Sequence, residues 1–176
     1  TVEKNPYQKI IPALQRELGI KNVMALPKVE KVVINCGVGR TIKDEKLLDM
    51  IVKELTVITG QKPVLTKARQ SIANFKTREG MVVGVKVTLR GPRMYDFISR
   101  LVNIALPRTR DFRGLNSHVI DDGGSLTIGI KEHIVFPEIS TEDIRNIFGF
   151  EVTIVVKAKS KAQALALYRV LGFPIK

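Results

Sequence analysis

Alternation of apolar and polar residues is clearest in the segment MVVGVKVTLR, and this alternation predicts a β-strand. One face of the segment carries four aliphatic side chains: Val83, Val85, Val87 and Leu89. The other face carries a glycine, a hydroxyl and two cations: Gly84, Lys86, Thr88 and Arg90. Because successive side chains of a strand point to opposite faces of its sheet, we predict one face on the core and one polar face outward, as antiparallel sheets allow.

Other predicted strands are short segments rich in β-branched residues and bounded by turn formers. The first, KVEKVVINCG after Pro27, places Val33 and the polar Asn35 on one face and Cys36 on the other. The remaining segments of this kind are PVLTKA, LTIGI, HIVF and FEVTIVVKA.

Apolar residues at helical spacing predict helices over Pro6 to Leu18, Asp44 to Thr59 and Arg93 to Ala105. A short helix is predicted near Ser140, and Ser160 is placed to cap a last helix. The helices and strands are interspersed without the strict alternation of a doubly wound fold. We therefore predict one α+β domain over residues 1–176, with an antiparallel or mixed sheet and helices packed on one face.

Two stretches lack the period of either a helix or a strand. One lies between two predicted strands, at about 70–80, and the other begins with LPRTRDFRGLNSHVIDDGGS. Long segments without regular structure are uncommon in compact domains and are usually functional or disordered. We predict two protruding loops, at about 70–80 and 107–136.

The net charge of +12 indicates an anionic partner. Residues 62–113 carry 12 cations and 3 anions, whereas residues 114–176 carry 7 of each. The hydrophobic fraction of 44%, with 6% aromatic residues, is typical of a folded globular protein. No segment has the roughly 18 consecutive apolar residues of a membrane span, and the first residues lack the apolar centre of a signal peptide. We expect a cytoplasmic protein with no membrane partner.

Motifs for catalysis, cofactors or metal ions are weak. The single cysteine, Cys36, with His118 and His133 is too small a set for a tetrahedral zinc site. The stretch Gly37-Val38-Gly39-Arg40 follows a strand and could cradle phosphate, but no GK[ST] or third glycine follows at the required spacing. A simple turn is the alternative interpretation. We expect no enzyme activity, no cofactor, no metal and no small-molecule substrate.

Arginine dominates the basic segment, and its planar guanidinium binds phosphate through two hydrogen bonds. Polar residues that could read sequence or shape beside those arginines are Asn35, Gln61, Thr66 and Thr88, and each could equally be an ordinary surface residue. Ile72 and Phe75 could pack on RNA bases and ribose, or could fix their loop to the core.

Several long segments closely resemble the bacterial large-subunit ribosomal protein five family, which binds 5S ribosomal RNA. They are NVMALPKVEKVVINCGVG, ITGQKPVLTKARQSIANFKTREGMVVGVKVTLRG, RMYDFISRL, LPRTRDFRG and LGFP, and the match runs from about Tyr7 to Pro174. The resemblance implies an α+β fold whose exposed sheet face binds 5S rRNA. It also implies contacts with 23S rRNA of the central protuberance, with P-site tRNA and with a protein of the small-subunit head. The implied location is the cytoplasmic ribosome.

The resemblance assigns residues to each contact. It gives Asn35, Gln61, Thr66, Lys67, Thr88 and Arg90 as the residues that face 5S rRNA. Three cations of the basic segment, Arg69, Lys86 and Arg93, complete the predicted rRNA-binding set. The tRNA-binding loop, Gln70 to Gly80, contributes Ser71, Ile72, Asn74, Phe75, Lys76 and Arg78. The intersubunit contact, between Arg108 and Phe136, comprises Arg108, Arg110 and Arg113.

This chain departs from the family pattern at three places. Gln70 stands where a basic residue is usual, and Gly124-Ser125-Leu126 lacks the usual aromatic residue. Lysines stand where acids or threonines are commoner, at Lys157, Lys159 and Lys161, and an additional rRNA contact there is an alternative left open.

Two other classes of function compete with structural RNA binding. An enzyme acting on RNA or nucleotides would use Gly37 to Arg40 as its phosphate loop. A protein-interaction module would present Arg108 to Arg113 to an acidic partner and would have no RNA role.

Overall fold

Five antiparallel strands form one sheet in the computed structural model, which describes residues 6–39, 45–75, 77–110, 112–139 and 146–176. The strands are β1 (Lys28–Gly37), β2 (Val64–Lys67), β3 (Val82–Leu89), β4 (Leu126–Ile130) and β5 (Phe150–Lys157). Their order across the sheet is β2-β3-β1-β5-β4. All four pairings are antiparallel, so of the two predicted alternatives the antiparallel sheet is correct.

β1 is the central strand and fixes which side chains face the core. It pairs with β3 on one side, where Ile34 lies opposite Val87, and with β5 on the other, where Ile34 lies opposite Val152. These three side chains are almost completely buried. The predicted alternation of β3 is therefore confirmed, with its aliphatic face inward and its polar face outward.

Helices cover the inner face of the sheet, as predicted. They are α1 (Pro6–Leu18), α2 (Glu45–Thr59), α3 (Pro92–Arg100), α4 (Leu106–Arg108) and α5 (Lys161–Val170). Fully buried residues from four of them join the aliphatic strand residues in a single core: Leu14, Leu55, Ile58, Phe97, Leu167 and Tyr168. On the other face, Asn35 of β1 and Lys86 of β3 are exposed, and no helix of the described residues covers them.

The predicted helix Arg93 to Ala105 is not a uniform α-helix. It continues from α3 through a π-helical stretch, Leu101–Ala105, into the single turn of α4. The N–H of Leu106 donates to the carbonyl of Leu101, five residues earlier. Pro107 has no N–H, and in a regular α-helix its ring would press on the carbonyl of Asn103. A wider turn before the proline relieves that contact.

One element in the region 107–136 differs from the prediction. HIVF was expected to be a strand, but His133–Val135 is a 3-10 turn. The N–H of Phe136 donates to the carbonyl of His133 at 3.2 Å, three residues earlier, which is the hydrogen bond of a 3-10 turn. The strand predicted for LTIGI is confirmed as β4, and Leu115 and Ile120, which precede it, are buried. The helix expected near Ser140 lies outside the described residues.

The chain before β4 is anchored to α5. Tyr168 is fully buried, and its hydroxyl lies 2.9 Å from the carbonyl oxygen of Gly124 and 3.1 Å from that of Ile154. Gly124 has φ +85°, and a Cβ there would lie 2.8 Å from the Cβ of Ala164. The residue must therefore be glycine for α5 to pack this closely.

His133 is fully buried beneath α2. Its ring stacks on Phe148 with centroids 4.2 Å apart, and its Nδ1 accepts the N–H of Phe148 at 3.3 Å. Its Nε2 lies 2.9 Å from Oε2 of Glu54, without the alignment of a hydrogen bond. Burial lowers the pKa of His133 and raises that of Glu54. Both shifts favour the uncharged forms.

We predict that His133 makes the protein less stable in mild acid. Since its pKa is lower in the folded state, the unfolded chain takes up the proton first, and stability is lost as pH falls below about 6.5. The loss is at most about 1.4 kcal/mol per pH unit for one proton. Nearer pH 4.5 the raised pKa of Glu54 acts in the opposite sense, because the folded state then takes up a proton first.

Urea unfolding at pH 7.5, 6.5 and 5.5 measures this effect. His133→Gln should reduce the pH dependence of the free energy of unfolding, even if the variant is less stable at every pH. His118→Gln, which removes an exposed histidine, is the control. Equal slopes in all three proteins would show that His133 is not the responsible group.

Candidate nucleic-acid interface

The outward face of β2, β3 and β1 brings together most of the predicted rRNA-binding residues. In the middle row, Lys86 of β3 lies between Asn35 of β1 and Val64 of β2. On one side of it, Thr88 lies opposite Val33. The side chains of Asn35 and Lys86 are exposed, and Thr88 is half-buried. The ammonium group of Lys86, the amide of Asn35 and the hydroxyl of Thr88 are therefore close together on two neighbouring strands.

Gly84 forms the floor of the next row, between Gly37 and Thr66. A Cβ at Gly84 would lie 2.7 Å from Oγ1 of Thr66, 3.2 Å from the carbonyl oxygen of Cys36 and 3.8 Å from Oδ1 of Asn35. Thr66 and Asn35, two of the predicted polar residues, therefore both lie close to a position that only glycine leaves open.

Gln61 reaches the same face from the end of α2. Its Nε2 donates to the carbonyl oxygen of Thr88 at 3.2 Å, and its backbone N–H donates to Oγ1 of Thr59 at 3.3 Å. The Thr59 hydroxyl is buried and lies 2.6 Å from the carbonyl oxygen of Leu55. The end of α2 thereby holds Gln61 beside Thr88, so these two predicted rRNA-binding residues are neighbours in the structure.

Cations surround these polar groups. Lys67 ends β2, Arg90 follows β3, and Arg93 lies in the first turn of α3. These three side chains and Arg69 are exposed. Glu151 of β5, opposite Asn35, is an exposed acid and marks a boundary of the cationic region. Such a surface can neutralise phosphates with its cations and read hydroxyls or base edges with its amides and hydroxyls.

The segment predicted to contact tRNA is a small hairpin. At its base, the N–H of Ala68 donates to the carbonyl of Met81 at 2.8 Å, and that of Gly80 donates to the carbonyl of Ala68 at 3.0 Å. Further out, Ile72 and Thr77 exchange two backbone hydrogen bonds of 3.1 and 3.2 Å. The backbone of this segment therefore has defined structure.

The hairpin presents most of its predicted contact residues to solvent. Ser71, Asn74 and Arg78 are exposed, and the Ser71 hydroxyl accepts the N–H of Glu79 at 2.9 Å. Ile72 is 45% exposed, so it does not fix the loop to the core. Lys76 and the side chain of Phe75 lie outside what the structure describes.

The three arginines of the predicted intersubunit contact are all exposed. Arg108 ends α4, whereas Arg110 and Arg113 line a groove with Phe112 and residues 127–130 of the edge strand β4. The structure thus brings Arg110 and Arg113 together and does not place Arg108 in the same groove.

The outward face also contains residues that the sequence prediction did not include. Val64 is 68% exposed and adds apolar surface next to Lys86. Thr127 and Thr153 continue the face onto β4 and β5, with their hydroxyl oxygens 3.3 Å apart. The alternation in FEVTIVVK could have predicted that Thr153 faces outward. It could not have predicted which residues lie beside Thr153, because these depend on the order of the strands in the sheet.

The alternative phosphate loop is not supported by the geometry. Gly37 is the last residue of β1, and the N–H of Val38 donates to the carbonyl of Val83 at 3.1 Å, so this amide is unavailable for phosphate. Among the described residues, no group of His, Cys, Asp or Glu side chains could hold a metal ion. No described helix is long and apolar enough to cross a membrane.

An α+β domain with helices on one sheet face and a cationic, polar surface on the other is typical of the small proteins that bind RNA through a sheet. Comparison with known proteins defines the group further. The family model described as "Ribosomal protein L5" matches residues 22–78, and the model described as the C-terminus of the same ribosomal family matches residues 82–175. The chain belongs to the L5 family of ribosomal proteins, which is a family of ribosomal components and not of enzymes.

Curated relatives match over nearly the whole chain. The large ribosomal subunit protein uL5 of Dichelobacter nodosus is 52% identical over 175 residues, which is 99% of this chain and 98% of the relative. The proteins of the same name from Acholeplasma laidlawii and Thermoanaerobacter sp. are 50% and 51% identical over 96% and 97% of this chain, and over 93% and 96% of their own lengths.

We predict that Gly84→Ala destabilises the protein by about 1–3 kcal/mol, because the added methyl group would overlap the Thr66 hydroxyl and press on the backbone of Cys36. Gly129→Ala is a matched control, since Gly129 is also a strand residue and a Cβ there would have no atom within 4 Å. Urea unfolding should show little change for Gly129→Ala or a small gain. Equal losses in the two variants would contradict the close approach at Gly84.

Proposed function

We propose that the protein is a structural component of the large ribosomal subunit that binds 5S rRNA through the outward face of β2, β3 and β1. The single observation that carries the proposal is the register that gathers Asn35, Thr66, Lys86 and Thr88 on the outward face of the sheet. The names of the relatives, large ribosomal subunit protein, support the same subunit. The protein would work in the cytoplasmic ribosome without cofactor or small-molecule substrate.

The proposal also assigns contacts with other ribosomal partners to the remaining exposed segments. The domain would anchor 5S rRNA to 23S rRNA in the central protuberance. The hairpin at 68–81 would contact P-site tRNA, since backbone hydrogen bonds join its two sides and most of its described side chains are exposed. Arg108, Arg110 and Arg113 would contact a protein of the small-subunit head.

Thr88 provides a sharp test of the 5S-binding face. Thr88→Val keeps the shape of the side chain and removes the hydroxyl, and Asn35→Ala removes the amide. Each variant should weaken binding to a 5S rRNA transcript by about 1–3 kcal/mol if it leaves an RNA group unpaired. Thr56→Val is the control, because Thr56 lies on α2 and its hydroxyl donates to the carbonyl of Val52 in the same helix, away from the outward face. Unchanged affinity for both Thr88→Val and Asn35→Ala would place the RNA site elsewhere.

The dependence of 5S affinity on salt should report the phosphate contacts. With roughly six neutralised phosphates, the plot of log affinity against log salt should have a slope of about −5. Lys86→Gln and Arg90→Gln should each reduce the slope by about one. Fluorescence anisotropy at several salt concentrations measures it. An affinity that does not change with salt would argue against phosphate recognition by this face.

Arg78 tests the proposed tRNA contact separately. Ribosomes assembled with the Arg78→Gln protein should retain P-site tRNA about tenfold less tightly, as expected for loss of one charge-assisted contact. Because Arg78 lies on the hairpin and not on the sheet face, affinity for free 5S rRNA should change little. Lys62→Gln, an exposed cation before β2, is the control. If tRNA retention is the same for both variants, the hairpin has no such role.

A further inference from the structure

A second cationic surface lies at the far end of β1, away from Gly84. It is a cleft, here called the lysine cleft, lined by Met24, Ala25, Leu26, Lys28, Lys157, Ala158 and Lys159. The three lysines are exposed, and none of the described residues that line the cleft is acidic. The cleft therefore has the charge of a site for an anion.

Two of these lysines face each other across neighbouring strands. Lys28 at the start of β1 is the direct partner of Lys157 at the end of β5. Like charges opposite each other in a sheet destabilise it. An anionic partner between them would remove this cost.

Met24 is the apolar member of the cleft and is 91% exposed. It lies in a 3-10 turn, Val23–Ala25, that is capped by Asn22, whose Oδ1 accepts the N–H of Met24 at 2.9 Å. The chain after the turn is held by the Tyr7 hydroxyl, which donates to the carbonyl of Pro27 at 3.0 Å. The turn is thus anchored at both ends and presents a large apolar side chain to solvent.

The size and position of the cleft favour a polymer over a small molecule. Its volume of about 190 Å³ is below the roughly 300–1,000 Å³ of typical small-molecule sites. It is also continuous with the proposed RNA face, because Lys31 of β1 lies opposite Val155 on the outward side, between Lys28 and Asn35. Lysines beside an exposed apolar side chain suit RNA, which offers phosphates next to ribose and base surfaces.

We propose that the lysine cleft binds ribosomal RNA, with Lys28, Lys157 and Lys159 on phosphates and Met24 against a ribose or base. This deepens the proposed function and rests on it for the class of ligand. The cleft adds a contact on the β5 side of the sheet, beyond the β2-β3-β1 face, so the RNA surface would extend across the central strand.

Salt dependence separates the two kinds of contact in the cleft. With the full-length protein, the double variant Lys157→Gln and Lys159→Gln should reduce the salt slope by about two for a 5S rRNA transcript or for 23S rRNA. Met24→Ala should weaken the same complex about fivefold without changing the slope, because an apolar contact neutralises no phosphate. The urea midpoint of Lys157→Gln should not fall, since the substitution relieves repulsion with Lys28.

The control is a double variant of equal charge, Lys53→Gln and Lys131→Gln, at exposed lysines on α2 and after β4 that do not line the cleft. Unchanged slopes for both RNAs in the cleft variant, or an equal loss in the control, would overturn the proposal. If Thr88→Val weakens 5S binding while the cleft variant does not, this inference fails and the proposed function stands. If wild-type protein binds neither RNA, the proposed function fails with it.

A photo-crosslinking amino acid in place of Met24, in protein assembled into large subunits, identifies the occupant directly. A crosslink to ribosomal RNA is the expected result. A crosslink to another protein alone would mean that the cleft is a protein-docking site and would overturn the inference.

Discussion

The pairing of β1 with β3 and β5 is the constraint on which the rest of the structure depends. Ile34 must enter the core between Val87 and Val152, and this places Asn35 on the outward face beside Lys86. A shift of one residue would reverse both faces, burying the amide and exposing the aliphatic side chains. The same contacts that stabilise the core therefore set the order of polar groups on the proposed RNA surface.

Sequence pattern was sufficient for elements whose burial follows a simple period. β3 alternates strictly, and α2 has an apolar stripe, so their faces could be predicted from the residues alone. The prediction was wrong for HIVF because its β-branched residues resemble a strand, whereas its burial arises from stacking of His133 on Phe148 and from contacts of Phe136 with Phe97. Those contacts join residues far apart in the chain, and no local pattern encodes them.

The sequence was sufficient to select individual residues of the candidate site, but it did not predict which of them lie next to each other. Polar residues in phase on β1 and β3 could be recognised, while the hydrogen bond from Gln61 to Thr88 depends on where α2 ends relative to the sheet. The approach of Thr66 to Gly84 depends on the pairing of β2 with β3, which are separated by the hairpin. Likewise, Lys28 and Lys157 are 129 positions apart in the chain, and only the β1–β5 register makes them neighbours.

Charge on the outward face reflects two opposed requirements. Folding disfavours like charges on adjacent strands, and binding to a polyanion favours them. Beside Asn35 the strand β5 supplies an exposed acid, Glu151, but at the other end of β1 the neighbour of Lys28 on β5 is a second lysine, Lys157. Because an acid, Glu151, is compatible with the sheet at one end of β5, pairing with β1 does not require a lysine at position 157 at the other end. A bound anion explains this pair of lysines better than packing does. Met24 supports the same partner, because RNA also offers apolar ribose and base surfaces, and this exposed side chain lies on a turn anchored by Asn22 and Tyr7.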